Sequence, residues 1–166
     1  KPFGDDSEYA FSPDGKTVYF GARIAGRTEP WSTNFDLYSV PVDGSAAPKN
    51  LTAANPAWDA YPVPSPDGKT LYYLAMKRPG FEADRFGVMA LDLASGGTRE
   101  LAPQWDRSAG GLAIAADGKT LYATADDNGE HALFALDAKS GKATRLSRVR
   151  RRVRPPRGRC PSARRG

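Results

Sequence analysis

Several residue types and motifs that support catalysis or metal binding are absent from most of this sequence. The only cysteine is Cys160, so residues 1–147 contain no disulfide, no CxxC pair and no thiolate metal cluster. The only histidine is His131, and no GxSxG motif occurs, which excludes the nucleophile elbow of a serine hydrolase. We therefore expect this chain to lack catalytic residues and to hold no cofactor or metal.

Long apolar runs are absent as well. No stretch of 18 apolar residues occurs, so we expect no membrane-spanning helix. The chain begins at Lys1 rather than at a methionine, and we expect it to be a piece of a longer protein. With 166 residues, 40% of them apolar, it is long enough for one domain with a packed core.

Excess positive charge is absent except at one end. The formal net charge is +5, yet nine arginines lie between Arg148 and Arg165 and no acidic residue follows Asp137. Residues 1–147 carry 15 basic and 19 acidic side chains. A uniformly basic domain would indicate binding to nucleic acid or an anionic surface. Because the excess is confined to the tail, we expect no nucleic-acid partner for the body.

The tail, residues 148–166, is predicted to be disordered. It holds almost nothing that could be buried to offset the roughly 1–2 kcal/mol per residue that ordering a backbone costs. Its Arg, Pro, Gly and Ala composition is that of GC-rich codons, and it starts where a repeat unit should continue. We interpret it as the product of a shifted reading frame. The alternative is a genuine basic tail that binds RNA or anionic lipid.

What the sequence does contain is an internal repeat of about 50 residues. A DGKT turn recurs with its aspartate at Asp14, Asp67 and Asp117, at spacings of 53 and 50 residues. Two further elements follow each turn in the same order: FDLYSVPVDG, FGVMALDLASG and HALFALDAKSG, then KNLT, RELA and TRLS. Three linked features in one order indicate a repeated structural unit.

Each repeat unit is typical of short β-strands joined by tight turns. The runs TVYF (17–20) and TLYYL (70–74) are β-branched and aromatic, which suits a buried pleated surface. Before them, Pro presets the first corner of a turn, Asp accepts hydrogen bonds from turn amides and Gly adopts the left-handed conformation. No segment shows a helical period.

Four short antiparallel strands per unit predict a β-propeller blade. The fold class is therefore all-β, with a partial propeller at 1–147 made of three four-stranded antiparallel blades. These are expected at about 5–52, 57–102 and 106–147. Closed propellers need about four to eight blades, so we expect the terminal blades to expose apolar faces. The isolated chain is then marginally stable or associates through those faces.

The strings SPDGKTLYYLAMKRPGFEADRFGVMALDLASG and WDRSAGGLAIAADGKTLYATADDNGEHALFALDAKSGKATRLS resemble a known propeller family. They are similar to the propeller of bacterial prolyl-oligopeptidase-family serine peptidases, especially the dipeptidyl-peptidase and acylaminoacyl-peptidase-like members. The resemblance covers roughly residues 5–147, and the SPDGK hairpin also occurs in TolB-type propellers.

This resemblance implies a function for the parent protein rather than for the chain alone. In such peptidases the propeller gates the access of a peptide substrate to a C-terminal α/β-hydrolase domain that carries a Ser-Asp-His triad. It also implies a periplasmic or secreted location. The alternative is a TolB-like propeller that binds a protein partner and has no enzymatic domain.

Four residues in the loops between second and third strands are candidates for contact with a peptide or a neighbouring domain. The loops are GARIAGRTEPWSTN (21–34) and MKRPGFEADR (76–85), and irregular loops on a rigid scaffold commonly carry binding. The candidates are Trp31, Arg78, Phe81 and Arg85; the alternative is that these loops only cap the blades.

Two Trp-Asp pairs, Trp58-Asp59 and Trp105-Asp106, are predicted to occupy matching places in successive linkers between blades. We interpret them as packing residues with a turn-capping carboxylate.

Overall fold

Short β-strands without any α-helix make up the part of the chain that the structure describes. The computed structural model describes residues 8–24, 26–27 and 32–147. Within these residues, the strands are β1 (Tyr9–Phe11), β2 (Thr17–Ala22), β3 (Asp36–Pro41), β4 (Lys49–Asn50), β5 (Asp59–Pro64), β6 (Thr70–Ala75), β7 (Gly87–Asp92), β8 (Thr98–Glu100), β9 (Ala109–Ile114), β10 (Thr120–Asp127), β11 (Glu130–Asp137) and β12 (Ala143–Arg145).

The strands pair into three four-stranded antiparallel sheets, each made of four consecutive strands. Blade 1 is β1–β4, blade 2 is β5–β8 and blade 3 is β9–β12. The predicted all-β class and the three four-stranded antiparallel blades are confirmed. The candidate Trp31 and the tail 148–166 lie outside the described residues, so the interpretation of the tail stays a prediction.

The repeated turn is held by one serine and one aspartate. In blade 2, the Ser65 hydroxyl donates to Asp67 at 2.6 Å and accepts the Thr70 amide at 2.9 Å, while the Lys69 amide donates to Asp67 at 3.1 Å. Gly68 lies in the left-handed region with φ 68°, as predicted. The hydrogen bond from the Ser65 hydroxyl, with that from the Lys69 amide, lowers the pKa of Asp67.

Blade 3 has Ala115 where the other two turns have serine. The bond from the Lys119 amide to Asp117 survives at 2.9 Å, and the Ala115 amide still donates to the Thr120 carbonyl at 2.8 Å. The backbone is therefore shaped as in blades 1 and 2, but the two hydroxyl bonds are missing.

Ala115→Ser is expected to stabilise the chain, because the new hydroxyl meets Asp117 and the Thr120 amide in the arrangement of the other turns. The gain should be about 0.5–1 kcal/mol in the free energy of unfolding. Ser65→Ala is the matched control and should lower that free energy by a similar amount. Urea unfolding followed by tryptophan fluorescence measures the free energy of unfolding of both variants. If both variants were more stable than the original chain, or both less stable, the assigned role of the hydroxyl would be contradicted.

Successive blades pack face to face because strand side chains alternate between the two faces of a sheet. We call the face directed at the next blade the leading face and the opposite one the trailing face. Blade 1 packs its leading face on the trailing face of blade 2 through the cluster Tyr19, Leu37, Leu71, Tyr73, Ala75 and Leu91. Blade 2 packs its leading face on blade 3 through a cluster that includes Tyr72, Leu74, Val88, Ala90, Leu121, Ala123, Phe134 and Leu136.

Both faces of the middle blade are covered by other blades, whereas each terminal blade packs on a described blade through one face only. In β6, the five positions from Leu71 to Ala75 are all buried. In β10 and β11, buried and exposed positions alternate.

The turn between β11 and β12 is pressed against the linker that follows blade 2. A Cβ on Gly141 would overlap the Leu101 carbonyl oxygen, so only glycine fits at this position. Gly96 occupies the same turn in blade 2 with nearly the same φ, 74° against 73°, but no atom of the described residues lies within 4 Å of its Cβ position.

Gly141→Ala should therefore be far more damaging than Gly96→Ala. Both variants strain a left-handed residue, at about 1 kcal/mol. Only Gly141→Ala also places a Cβ against backbone atoms, so we expect that variant to lose roughly 3 kcal/mol of unfolding free energy in total. Thermal unfolding monitored by circular dichroism compares the two, and similar losses would show that the contact with Leu101 is not maintained.

Candidate functional site

The loop face is the end of the blades where second strands pass into third strands. Its three loops differ in length: the described parts of 23–35 in blade 1, 76–86 in blade 2, and the two-residue turn Asn128-Gly129 in blade 3. Asn128 and Gly129 both have positive φ, 53° and 76°, which defines a tight hairpin of the type that Asn-Gly favours. The irregular residues of this face therefore lie over blades 1 and 2.

Asp84 folds the 76–86 loop on itself. Its Oδ2 accepts the amides of Lys77 and Arg78, both at 2.8 Å, and its Oδ1 accepts Arg78 Nε at 3.1 Å. Desolvation would raise the pKa of Asp84, but the hydrogen bonds from the backbone amides outweigh it and lower the pKa to about 2. The loop therefore keeps its carboxylate charge at all ordinary pH values.

Arg78 and Phe81 form an exposed pair on this loop. The guanidinium carbon lies 3.9 Å from the centroid of the Phe81 ring, a cation–π contact. The Arg78 side chain is 63% exposed and Phe81 is 42% exposed. The Gly80 amide donates to Thr33 Oγ1 of blade 1 at 3.0 Å, which ties the tip of the loop to the neighbouring blade. These two predicted residues are thus brought together at the surface.

Arg85 is placed differently from the other candidates. Its guanidinium donates to Glu100 Oε1 at 2.6 Å and to the Trp105 carbonyl at 3.2 Å, and Lys77 Nζ donates to Glu100 Oε2 at 2.6 Å. Gly87 leaves the space for this pair, since a Cβ there would lie 2.8 Å from Glu100 Oε1. Arg85 therefore joins blade 2 to the linker before blade 3, and its role in contacting a ligand stays a prediction.

A second ionic network on the loop face was missed by sequence reasoning. Asp127 accepts Arg107 Nη2 at 2.8 Å and Arg145 Nη1 at 2.7 Å, while Arg145 Nη2 donates to Glu130 at 2.5 Å. These residues come from a linker, a hairpin and the last strand of blade 3. No spacing in the sequence marks them as neighbours.

Two buried acids lie near each other at the loop-face end of blades 1 and 2: Asp59 on the face of blade 2 that meets blade 1, and Asp36 on the trailing face of blade 1. Asp59 is fully buried and Asp36 is 9% exposed. Asn50 donates to Asp36 Oδ2 and Asn55 donates to Asp59 Oδ1, each at 2.8 Å. Among the described residues, Asp36 Oδ1 and Asp59 Oδ2 have no hydrogen-bond partner. Burial raises the pKa of Asp59 to about 7, and the nearby charge of Asp36 adds to the rise, against opposing hydrogen bonds from Asn55 and Thr52.

The predicted equivalence of the two Trp-Asp pairs is wrong. The Asp59 amide donates to the Phe35 carbonyl, and in the next junction the Ala109 amide donates to the corresponding Phe86 carbonyl. Asp59 therefore matches Ala109, three residues beyond Asp106, whose side chain is 82% exposed. The dipeptide repeats by coincidence, because hydrogen-bond register rather than residue identity aligns the two linkers.

The part of the chain that the structure describes offers no set of three His, Cys, Asp or Glu side chains able to hold a metal ion. Within the same residues, no helix is long and apolar enough to cross a membrane. The exposed side chains of the described loops, such as those of Arg78 and Phe81, are available for binding.

Face-packed four-stranded blades with irregular loops at one end define the class of this molecule as a β-propeller segment. The curated proteins that it matches include dipeptidyl-peptidases. The chain is 38% identical over 149 residues to the probable dipeptidyl-peptidase 5 of Emericella nidulans, a match to 86% of this chain and 20% of that protein. The dipeptidyl-peptidase 5 of Arthroderma benhamiae is 34% identical over 146 residues, with 82% and 20% covered. No protein-family model matches the chain.

Solved structures share the fold. TolB from Acinetobacter baumannii superposes with a TM-score of 0.64 at 20% identity, over 86% of this chain and 32% of that one. A puromycin-hydrolysing peptidase of Mycobacterium tuberculosis gives a TM-score of 0.64 at 25% identity, over 86% and 23%. The expected resemblance to peptidase and TolB propellers is confirmed, but its restriction to bacterial members has no support, since the curated relatives are fungal.

The chain is therefore a propeller segment related in sequence to part of dipeptidyl-peptidase 5. It spans about one fifth of the length of the curated relatives that it matches.

Asp59 is expected to make the stability of the chain depend on pH. Its pKa of about 7 in the folded state exceeds the ordinary value of 3.8, so the folded state binds this proton more tightly than the unfolded state. The contribution is fully present below pH of about 4 and is lost as the pH rises through about 7. Between pH 5 and 8 the free energy of unfolding should fall by about 3 kcal/mol.

Asp59→Asn removes the titrating group and should be more stable than the original chain at pH 8, with the difference vanishing near pH 4. Asp106→Asn, at an exposed carboxylate, is the control and should follow the original chain at every pH. Urea unfolding across this range measures all three. If the free energy of unfolding of Asp59→Asn changed with pH in the same way as that of the original chain, Asp59 would not titrate as described.

Proposed function

We propose that this chain is part of the non-catalytic propeller of a serine exopeptidase of the dipeptidyl- or acylaminoacyl-peptidase type. In the parent protein it limits the access of peptides to a C-terminal α/β-hydrolase domain. The observation that carries the proposal is the sequence relationship to dipeptidyl-peptidase 5, which extends over most of the chain, whereas the GxSxG motif of the hydrolase is absent. We also propose a periplasmic or secreted location for the parent, as the resemblance to such peptidases implies.

The loop face has the physical properties that such a role requires. Its base is held by the ion pairs of Glu100 and Asp127, so the blades present a firm frame. Above this frame, Arg78 and Phe81 offer a cation and an apolar ring side by side. A guanidinium binds carboxylates and an exposed ring packs on apolar side chains, and a peptide or the surface of a hydrolase domain supplies both. We infer that this pair is the contact point.

The isolated chain should have no peptidase chemistry of its own. We expect no hydrolysis of aminoacyl-dipeptide chromogenic substrates and no labelling by a fluorophosphonate probe, because no serine lies in a nucleophile elbow. Labelling is measured by mass spectrometry beside an active serine peptidase as the positive control. A labelled serine in this chain would overturn the assignment as a non-catalytic part.

The gating role is tested in the parent protein with Arg78→Ala combined with Phe81→Ala. We expect kcat/KM for long peptides to change by about fivefold, the equivalent of about 1 kcal/mol, and that for a small dipeptidyl substrate to stay constant. Lys139→Ala, at an exposed turn on the opposite end of blade 3, should affect neither. Equal changes for both substrate sizes would contradict gating.

The coding sequence beyond this chain separates the proposal from its alternative. A GxSxG motif followed by Asp and His supports the peptidase. Further blades and then a stop codon would instead establish a TolB-like module that binds a protein partner.

A further inference from the structure

The end of the blades opposite the loop face carries a pocket that the proposed function does not use. We call this end the turn face, and it is formed by the repeated turns around Asp14, Asp67 and Asp117. The pocket lies between the turns of blades 1 and 2 and has a volume of about 550 Å³. Its walls include Asp14 and Tyr19 of blade 1 and Asp67 of blade 2. Both blades that form it belong to the described part of the chain, so the pocket lies inside a complete junction.

The charge of this pocket is negative. Asp14 and Asp67 each use one carboxylate oxygen, Oδ1, for the hydrogen bonds of their own turn. The bonds from the serine hydroxyls, followed by those from the turn amides, lower the pKa of both carboxyls, so both are charged at neutral pH. Lys16 and Lys69 follow in the turns but do not line the pocket. Among the described residues, neither aspartate takes part in an ion pair within 4 Å, which leaves Oδ2 of each available to a cation.

A buried hydroxyl without a partner lines the same pocket. Tyr19 is only 7% exposed, and its hydroxyl has no hydrogen-bond partner among the described residues. A buried tyrosine hydroxyl normally has such a partner. Burial raises the pKa of Tyr19 and the charge of Asp14 adds to the rise, so this hydroxyl lies within electrostatic range of that carboxylate. The pocket thus combines two carboxylates with a neutral hydroxyl whose hydrogen bond is unmade.

The equivalent pocket between blades 2 and 3 differs in size and in charge. Its volume is about 180 Å³, and Tyr72 takes the place of Tyr19. Burial raises the pKa of Tyr72, but here the positive charge of Arg99 opposes the rise. The Arg99 guanidinium donates to the Ala138 carbonyl at 3.0 Å, which holds it at this junction. The chain therefore supplies a cation of its own at the second junction, whereas no basic residue of the described chain lines the first pocket.

We propose that the pocket between the turns of blades 1 and 2 binds an alkylammonium group, the cationic end of a small amine or of a lysine side chain. An ammonium has three N–H donors and no acceptor, and the acceptors here are the carboxylates of Asp14 and Asp67 and the Tyr19 hydroxyl. Pro13 and Pro66 also line the pocket and offer apolar surface to the alkyl stem. Calcium fits less well, because it takes roughly six to eight oxygen ligands and the described residues hold no set of three acidic or other ligating side chains. This site does not depend on the proposed peptidase function.

Calorimetric titration of the full 166-residue chain with defined amines tests this site. The probes are 1,5-diaminopentane for a free amine and Nα-acetyl-lysine methylamide for a lysine side chain, and we expect saturable binding with a Kd of about 1 mM. Binding of the capped lysine identifies a peptide side chain as a source, and binding of the diamine alone identifies a small amine. Capped norleucine has a similar stem without the charge and should not bind. No binding of either amine at about 20 mM, equal binding of capped norleucine, or displacement of the amine by equimolar calcium chloride overturns the proposal.

Four variants locate the binding in the first pocket. Asp14→Asn keeps an oxygen for the turn but removes the charge, so the Kd should rise about tenfold. Tyr19→Phe keeps the ring in the core and removes one acceptor, so the Kd should rise about threefold. Asp117→Asn and Tyr72→Phe make the same changes at residues that line only the second pocket, and both should bind as the original chain does.

Folding is controlled by circular dichroism, which should show the same β signal for all four variants. Because Tyr19→Phe removes a single oxygen, it still tests the site if Asp14→Asn proves unstable. Unchanged affinity in folded Asp14→Asn or Tyr19→Phe overturns the proposal. Equal weakening by Asp117→Asn or Tyr72→Phe would show binding by general charge attraction and overturn it as well.

Discussion

The packing of one four-stranded sheet against the next is the interaction on which the rest of this structure depends. A single blade has two apolar faces and only one thin sheet, so it cannot bury both faces alone. Leu71 and Leu74 leave opposite faces of the same strand, and both are fully buried because a blade lies on each side. Full burial of a side chain of this size contributes about 1.5–3 kcal/mol, so the middle blade gains most and the terminal blades least.

The two junctions between blades meet this need with different chemistry. The first holds Asp59 out of water, and burial raises the pKa of this carboxyl to about 7, so that near neutral pH it is close to half protonated. The second has Gly87 and Ala109 at the places of Asp36 and Asp59, and its acid is Glu100, which occupies the place of Asn50 and is paired with two cations. A small side chain in the second junction thus replaces a desolvated acid in the first. The ion pairs of Glu100 and Asp127 hold the loop face together over blades 2 and 3.

Much of the fold could be predicted from local sequence, since the turns and strands are local features. Pro66, Asp67 and Gly68 specify a tight turn whatever surrounds them, and the bonds of Ser65 to that turn reach only five residues along the chain. The candidate loops were found for a similar reason, because irregular composition marks them. Their contacts were not predictable: Arg78 and Phe81 share one loop, but Arg85 pairs with a residue 15 positions away. The prediction that the two Trp-Asp pairs are equivalent was wrong, because identical dipeptides can lie at different positions of a repeat, and only the hydrogen-bond register shows which residues correspond.

The sequence by itself determined the blade, since the period of about 50 residues, the alternation of apolar residues and the turn chemistry all act within one unit. Only the tertiary structure decided which charges are buried, paired or exposed. Asp59 and Asp106 follow a tryptophan in the same way, yet one is fully buried and the other has a side chain that is 82% exposed. Likewise Tyr72 and Tyr122 occupy the same place in the repeat and differ in exposure. The physical reason is that the burial of a side chain depends on the blade packed against it, and the residues of one blade do not determine whether another blade is present.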